Sequence, residues 1–317
     1  MTHIIPLPYR PPYDWPAILA YLGGRAIPGV EVVTTDAYAR TVFLGGRPGT
    51  IAVAPGQGDA LVATVDHPDP AILPDVPARL RPMFDCDADP AVIAAALSRD
   101  PDLAPLVAER PGLRVPGAWD GFEIAVRAIL GQQVSVNAAT RLAGRLVSAF
   151  GEPVLPERGA VGLTHLFPTP DRLLDADIAA TLGMPGARGR AIGTLAAEAH
   201  ANPDLFARGR GLDPAVAALR AMRGIGEWTA QYVALRALRE PDALPAADLA
   251  LLRSLDTGAG RPTPAQLLVR AEAWRPWRAY AAVHLWTSDA ARIAAVPPAA
   301  KPAAKLRLPR PASGHGP

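Results

Sequence analysis

The chain carries a single cysteine, Cys86, in 317 residues. That excludes an internal disulfide framework, a zinc knuckle and an iron–sulfur cluster built within one chain. Apolar runs are short, none approaching the roughly 20 residues of a membrane span. Prolines interrupt Met1 to Trp15 before a signal-peptide core can form. A soluble, cytoplasmic protein with no membrane partner is expected. Net charge is low as well, at +2. The tail from Ala300 to Pro317 holds Lys301, Lys305, Arg307 and Arg310 and no acid. Without those four, 28 basic side chains face 30 acidic ones. Any nucleic-acid contact must therefore come from a local basic face rather than a global field. No exposed apolar stripe stands out, so a monomer is expected.

What is present suffices for two or three domains, because half the residues are apolar. Asp14 is placed to cap a first helix, with Pro16 in its first turn, running to about Gly23. The period then changes. Val30 to Thr35, Ala37 to Leu44, Thr50 to Val53 and Ala60 to Val65 read as strands, joined by turns at Gly45-Gly46 and Gly56 to Asp59. Such short connections imply an antiparallel sheet. From about Ala71 the pattern is helical. Asp120 and Glu123 resemble a capping box before Phe122, Val126, Ile129 and Leu130. Gly131 to Val134 breaks that helix, Ser135 caps the next, and Gly151 stops it. Further helices fit Asp171 to Leu182, Arg188 to Ala201, Asp213 to Met222, Glu227 to Arg239, Leu249 to Leu255, Pro264 to Glu272 and Pro276 to Ser288. From Pro297 the composition is too rich in proline, alanine and lysine to pack a core.

Leu219 to Asp248 carries the chemistry. Two helices meet at Gly224-Ile225-Gly226, where glycine lets the backbone take positive φ and approach a ligand closely. Exposed N–H groups at such a turn grip a phosphate without reading a base. An ordinary tight helix–helix turn would look the same. Trp228 and Tyr232, four apart, share one helix face, as core aromatics also do. Asp248 precedes the next apolar run, where a plain N-cap would also stand. Trp286 alone would be a core tryptophan.

In this order and spacing, Leu219 to Arg236 followed by Asp248 resembles the DNA-3-methyladenine glycosylase II family, the alkylation-repair branch of the helix-hairpin-helix DNA glycosylase superfamily. The stretches Pro11 to Trp15, Arg110 to Gly117, Arg127 to Ser135, Phe167 to Pro170, Leu182 to Pro185, and Trp274 to Tyr280 with His284 and Trp286 resemble it too. The likeness runs in order from about residue 8 to 290. It implies an α+β fold: an N-terminal antiparallel, TATA-binding-protein-like α/β domain (1–90), then two mainly helical domains with the cleft between them. Residues 91–122 would link and pack with the C-terminal helical part. Residues 123–240 would form the domain holding the hairpin (219–236), 241–292 a C-terminal helical segment, and 293–317 a disordered tail. The resemblance makes Asp248 the catalytic carboxylate and Trp228, Tyr232, Trp286 and Tyr21 the walls of a base pocket. Gln133 falls on the position that wedges the duplex. Gly224, Gly226 and Arg223 would meet the DNA backbone, and the carbonyls of Arg220, Met222 and Ile225 would hold a monovalent cation, Na or K. No cofactor is required.

These residue types suit the implied chemistry, removal of a damaged base from double-stranded DNA. Alkylation at a purine ring nitrogen makes the base cationic and a better leaving group. A carboxylate beside the sugar stabilises the developing oxocarbenium charge and can orient water. Electron-rich rings favour a cationic base by about 0.5–2 kcal/mol per good contact. The target must be flipped out of the stack, and Gln133 could bond the orphaned base opposite. In relatives that also cut the backbone, a lysine stands where this chain has Trp228, so a monofunctional enzyme leaving an abasic site is implied. Glu227, directly after the hairpin glycines, departs from a phosphate grip. It must point away or weaken DNA binding, with Arg223, Arg188 and Arg190 to compensate. Lesions such as hypoxanthine, or a DNA-binding module without catalysis, are the rival readings. Turnover of alkylated duplex separates the last from the rest. His284 is expected to be structural.

Overall fold

In the computed structural model, residues 2–154, 161–256, 258 and 260–295 are described. Strands β1 (Thr2–Pro8), β2 (Glu31–Val33), β3 (Tyr38–Leu44), β4 (Arg47–Pro55) and β5 (Ala60–Asp66) form one antiparallel sheet in the order β1-β5-β4-β3-β2. The β3–β4 hairpin pairs Leu44 with Arg47 across Gly45 and Gly46, whose φ values of 53° and 75° suit a mirror-image two-residue turn. β1 is absent from the sequence reading because Pro6 and Pro8 interrupt it. It lies at the sheet edge, where a missing N–H is tolerated. β4 also extends beyond the expected Thr50 to Val53 at both ends.

Helix α1 (Trp15–Gly23) starts as expected, with the Asp14 side chain accepting from the Ala17 amide at 3.0 Å. It and α2 (Asp75–Met83) pack on the sheet around Ile18, Tyr38, Ile51, Leu61, Leu80 and Phe84. The rest is helical: α3 (Pro90–Leu97), α4 (Leu103–Glu109), α5 (Gly121–Leu130), α6 (Val136–Phe150), α7 (Ile178–Leu182), α8 (Gly186–Ala201), α9 (Leu212–Arg220), α10 (Glu227–Val233), α11 (Leu249–Ser254), α12 (Pro264–Ala271) and α13 (Arg278–Ala295). These share a second core that includes Ile129, Leu146, Ile192, Leu235, Leu251 and Trp274. Among the described residues no helix is long and apolar enough to cross a membrane.

Several expectations need correction. Asp171 to Leu182 is not one helix. Pro170–Leu173 makes a 3-10 turn, and Asp177 restarts the chain by capping the Ala180 amide at 3.1 Å. The helix expected to reach Arg239 changes after Val233 into a π turn, Ala234–Leu238, and Arg239 ends it at φ 62°. Asp120 caps the Glu123 amide, but the Glu123 side chain does not return the bond of a capping box. It accepts from Arg40 at 2.6 Å and Arg127 at 2.9 Å. Residues 293–295, expected to be disordered, end α13; the remaining tail lies outside the described residues.

That displaced carboxylate ties the two cores together. Arg40 of β3, Glu123 and Arg127 of α5 and Glu31 of β2 form a buried chain of ion pairs. Arg114 adds to the joint by donating to the carbonyls of Asp85, Ala88, Arg10 and Pro12. Charges this buried persist only when their hydrogen bonds are met, so the joint holds α1 in one register against the helical core. Tyr21, on α1, is thereby brought to the helical half.

Candidate active site

Asp248 caps α11: its Oδ1 accepts from the amides of Ala250 at 2.9 Å and Leu251 at 3.3 Å. The same carboxylate accepts from two indoles. Trp228 Nε1 donates to Oδ2 at 2.9 Å and Trp286 Nε1 to Oδ1 at 3.1 Å. Three helices, α10, α11 and α13, therefore fix its orientation. Capping α11 does not occupy the whole carboxylate, because both of its oxygens also meet indole N–H groups at the cavity.

A cavity of about 450 Å³ opens beside it, lined by Tyr21, Trp228, Tyr232, Trp286 and Asp248 among others. Trp228 and Tyr232 are stacked, ring centres 5.3 Å apart and planes at 11°. Trp286 lies 6.2 Å from Tyr232 and 6.5 Å from Tyr21. All four rings are half-buried, packed against a core on one side and facing the cavity on the other. That volume fits a flat purine-sized group among electron-rich faces with a carboxylate at its edge.

The glycine hairpin joins α9 to α10. Gly224 takes φ 91°, and a Cβ there would come within 2.4 Å of the Ala191 Cβ of α8. Gly226, expected to share the positive φ, is extended at φ −87°; a Cβ on it would meet nothing within 4 Å, so the backbone there lies open. Arg223 is exposed. Glu227 is turned aside, paired with Arg220 at 2.9 Å and accepting from Gln231. The Met222 carbonyl accepts from the Ile225 amide at 3.2 Å. Among the described residues no hydrogen bond reaches the carbonyls of Arg220 or Ile225, so this neutral oxygen set suits a monovalent cation.

Two family matches divide the chain: "AlkA N-terminal domain" over residues 4–120 and "HhH-GPD superfamily base excision DNA repair protein" over residues 126–279. The Escherichia coli protein named DNA-3-methyladenine glycosylase 2 is 36% identical over 288 residues, covering 89% of this chain and 96% of that one. This chain belongs to the same family. A Mycobacterium tuberculosis relative, named a probable bifunctional transcriptional activator/DNA repair enzyme AlkA, is 41% identical over 285 residues. The chain spans 56% of that relative's length. In fold, the 3-methyladenine DNA-glycosylase from Archaeoglobus fulgidus superposes with a TM-score of 0.78 at 22% identity, covering 90% of this chain and 98% of that one. A Clostridium acetobutylicum 8-oxoguanine glycosylase/lyase superposes with a TM-score of 0.67 at 16% identity, covering 90% and 93%. The fold alone thus hosts more than one base and more than one outcome.

In this member of the glycosylase 2 family, Gln133 sits exposed at the α5–α6 break with φ 58°, an unusual conformation for a side-chain-bearing residue. What holds it there escaped the sequence reading. The Gln132 side chain donates to the Gly224 carbonyl at 3.0 Å and the buried Thr229 hydroxyl at 3.1 Å, while Arg188 donates to the Gln132 carbonyl at 2.7 Å. Arg188 thus gives part of its guanidinium to this joint. Arg236 also escaped it. Its buried guanidinium donates to the Tyr21 hydroxyl at 2.9 Å, the Tyr232 hydroxyl at 2.7 Å, and the Pro116 and Gly117 carbonyls. The available signal was its place four residues after Tyr232 on one helical run. Arg25 lies 3.8 Å over the Tyr21 ring.

Proposed function

We propose that this chain is a DNA glycosylase that flips alkylated, cationic purines such as 3-methyladenine out of duplex DNA and hydrolyses the N-glycosidic bond. The observation that carries the reading is the Asp248 carboxylate, held by two indole N–H groups at the edge of an aromatic cavity of about 450 Å³. A purine that enters between Trp228, Tyr232, Trp286 and Tyr21 meets ring faces suited to positive charge. Its sugar then faces Asp248, whose charge stabilises the oxocarbenium-like transition state. The same oxygens can orient the water that completes hydrolysis.

The hairpin supplies the second half. The open backbone at Gly226 and the exposed Arg223 would meet a phosphate, and the Arg220, Met222 and Ile225 carbonyls would hold the monovalent cation beside it. Gln133, projecting from the adjoining turn, would fill the gap left by the extruded base. A monofunctional outcome is supported by the lysine count. The chain has two lysines, Lys301 and Lys305, both outside the described residues. Among the described residues no amine of that kind lines the cavity to form a Schiff base. The product would be an abasic site, and the protein would act as a monomer.

The test is a panel of duplexes carrying alkylated, deaminated or oxidised bases, scored separately for released base and for strand cleavage. Release of alkylated purines without cleavage is expected. Release confined to oxidised bases, or cleavage at the abasic site, would contradict the reading.

A further inference from the structure

A pocket that attracts a cationic base should hold little unpaired positive charge, yet Arg25 lines this one and Arg236 stands directly behind its two phenols. Arg127 and Arg253 line it but are neutralised, by Glu31 with Glu123 and by Asp289. Arg25 and Arg236 form no ion pair among the described residues. Arg236 is also fully enclosed, its side chain reaching only the two phenol hydroxyls and two backbone carbonyls. A buried guanidinium without a carboxylate is costly unless something nearby can take negative charge.

We propose that Arg236 is a specificity-determining residue: by gripping both phenols it lets them hold one proton or two, and so sets whether the pocket prefers cationic or uncharged purines. The inference rests on reading the cavity as a base pocket. Proton counting supports it. Arg236 donates to both hydroxyl oxygens, and the hydroxyls lie 3.1 Å apart, so one phenol donates to the other. The second hydroxyl proton then has no protein acceptor among the described residues and can leave to water. The groups facing Tyr232 are Arg236 on its own helical run, Tyr21 and Arg25 from α1 and the turn after it, and Arg127 from α5. Asp248 stands across the cavity on α11. Burial opposes ionisation of Tyr232, but Arg236 and Arg25, with the Tyr21 hydrogen bond, outweigh it and bring it down to about 8. Burial outweighs the same cations at Tyr21 and pushes it up. The pair therefore gives up one proton readily and keeps the other. With both protons present, Arg25 and Arg236 outnumber Asp248. With one lost, the pocket is balanced and a cationic base is no longer opposed.

The decisive measurement is an ultraviolet titration of tyrosinate in the full chain without DNA. One of the six tyrosines is expected to ionise with a midpoint about 8, a step lost in Tyr232→Phe and moved upward in Arg236→Gln. Excision of 3-methyladenine and of uncharged ethenoadenine from duplexes is then compared from about pH 7 to about pH 9. The cationic-to-uncharged ratio should rise roughly tenfold in the wild type and stay flat in Tyr232→Phe. No tyrosine ionising below about pH 9, or the same rise in Tyr232→Phe, overturns the proposal. If neither duplex loses its modified base, the base-pocket reading fails with its specificity claim, while the titration still decides whether the phenols share a proton.

Discussion

Replacing Asp248 with asparagine and with alanine separates its two duties. Asparagine keeps an oxygen for the Ala250 and Leu251 amides and for Trp286, which all meet Oδ1. Its amide nitrogen then confronts Trp228 Nε1 across 2.9 Å, donor against donor. One charge-assisted bond is lost, about 1.5–3 kcal/mol at most in a half-exposed setting. At about 2–4 °C per kcal/mol for a chain of this size, Tm should fall by a few degrees. Alanine also removes the cap, about a further 1 kcal/mol, so it should melt lower than asparagine. Activity should order differently. Both variants lose the negative charge that the proposed function sets opposite the sugar, and removal of one preorganised electrostatic partner typically takes about 2.7–4 kcal/mol from the transition state. Single-turnover release of 3-methyladenine should therefore drop about 100- to 1000-fold in both. The assay is run below the melting onset of either variant, with Tm measured on the same samples. Asparagine releasing base within about threefold of wild type, where roughly 100-fold is expected, would refute the electrostatic role. So would activity that tracks Tm across the two variants.

Further expectations follow from other parts of the fold. Gln132→Ala removes both bonds to the hairpin. It should lower kcat for excision while leaving non-specific duplex binding nearly unchanged, and equal losses in both would contradict its part in holding Gln133. His284 is buried and held down to about 4, chiefly by burial, from 6.5. Neutral His284 therefore contributes fully above about pH 6.5, and that contribution is lost as pH falls toward 4, about 3 kcal/mol in all. Urea unfolding from pH 7 to 4 should show less acid sensitivity in His284→Gln. Glu123→Ala leaves Arg40 buried without its 2.6 Å partner, so unfolding free energy should fall by about 3–5 kcal/mol.

Much of this was legible where the determining contacts are local. Asp14 and Ser135 cap their helices within three residues, and Gly45-Gly46 turns the hairpin its residue types prescribe. Trp228, Tyr232, Trp286, Tyr21 and Asp248 all reach one cavity. Core packing does not exclude a pocket here, since the aromatics pack on a core on one side and face the cavity on the other. What escaped depends on partners far along the chain. Arg236 meets Tyr21 across 215 residues and Gln132 meets Gly224 across 92, and nothing local marks either. β1 was hidden because its prolines are acceptable only at an edge, and an edge is defined by the finished sheet. Glu123 had a nearer claim on its carboxylate than Arg40 offered in sequence, yet Arg40 and Arg127 were the stronger partners once buried.

The central claim is that an extruded alkylated purine lies among the four rings with its anomeric carbon beside Asp248. A crystal structure of the chain with a duplex carrying a non-hydrolysable alkylated nucleotide tests this directly. The account predicts the base between Trp228, Tyr232 and Trp286, with a carboxylate oxygen of Asp248 within roughly 3.5 Å of the reacting carbon. A base still stacked in the duplex, or one lodged in the larger cavity of about 790 Å³ beside Trp119 and Phe206, would contradict it.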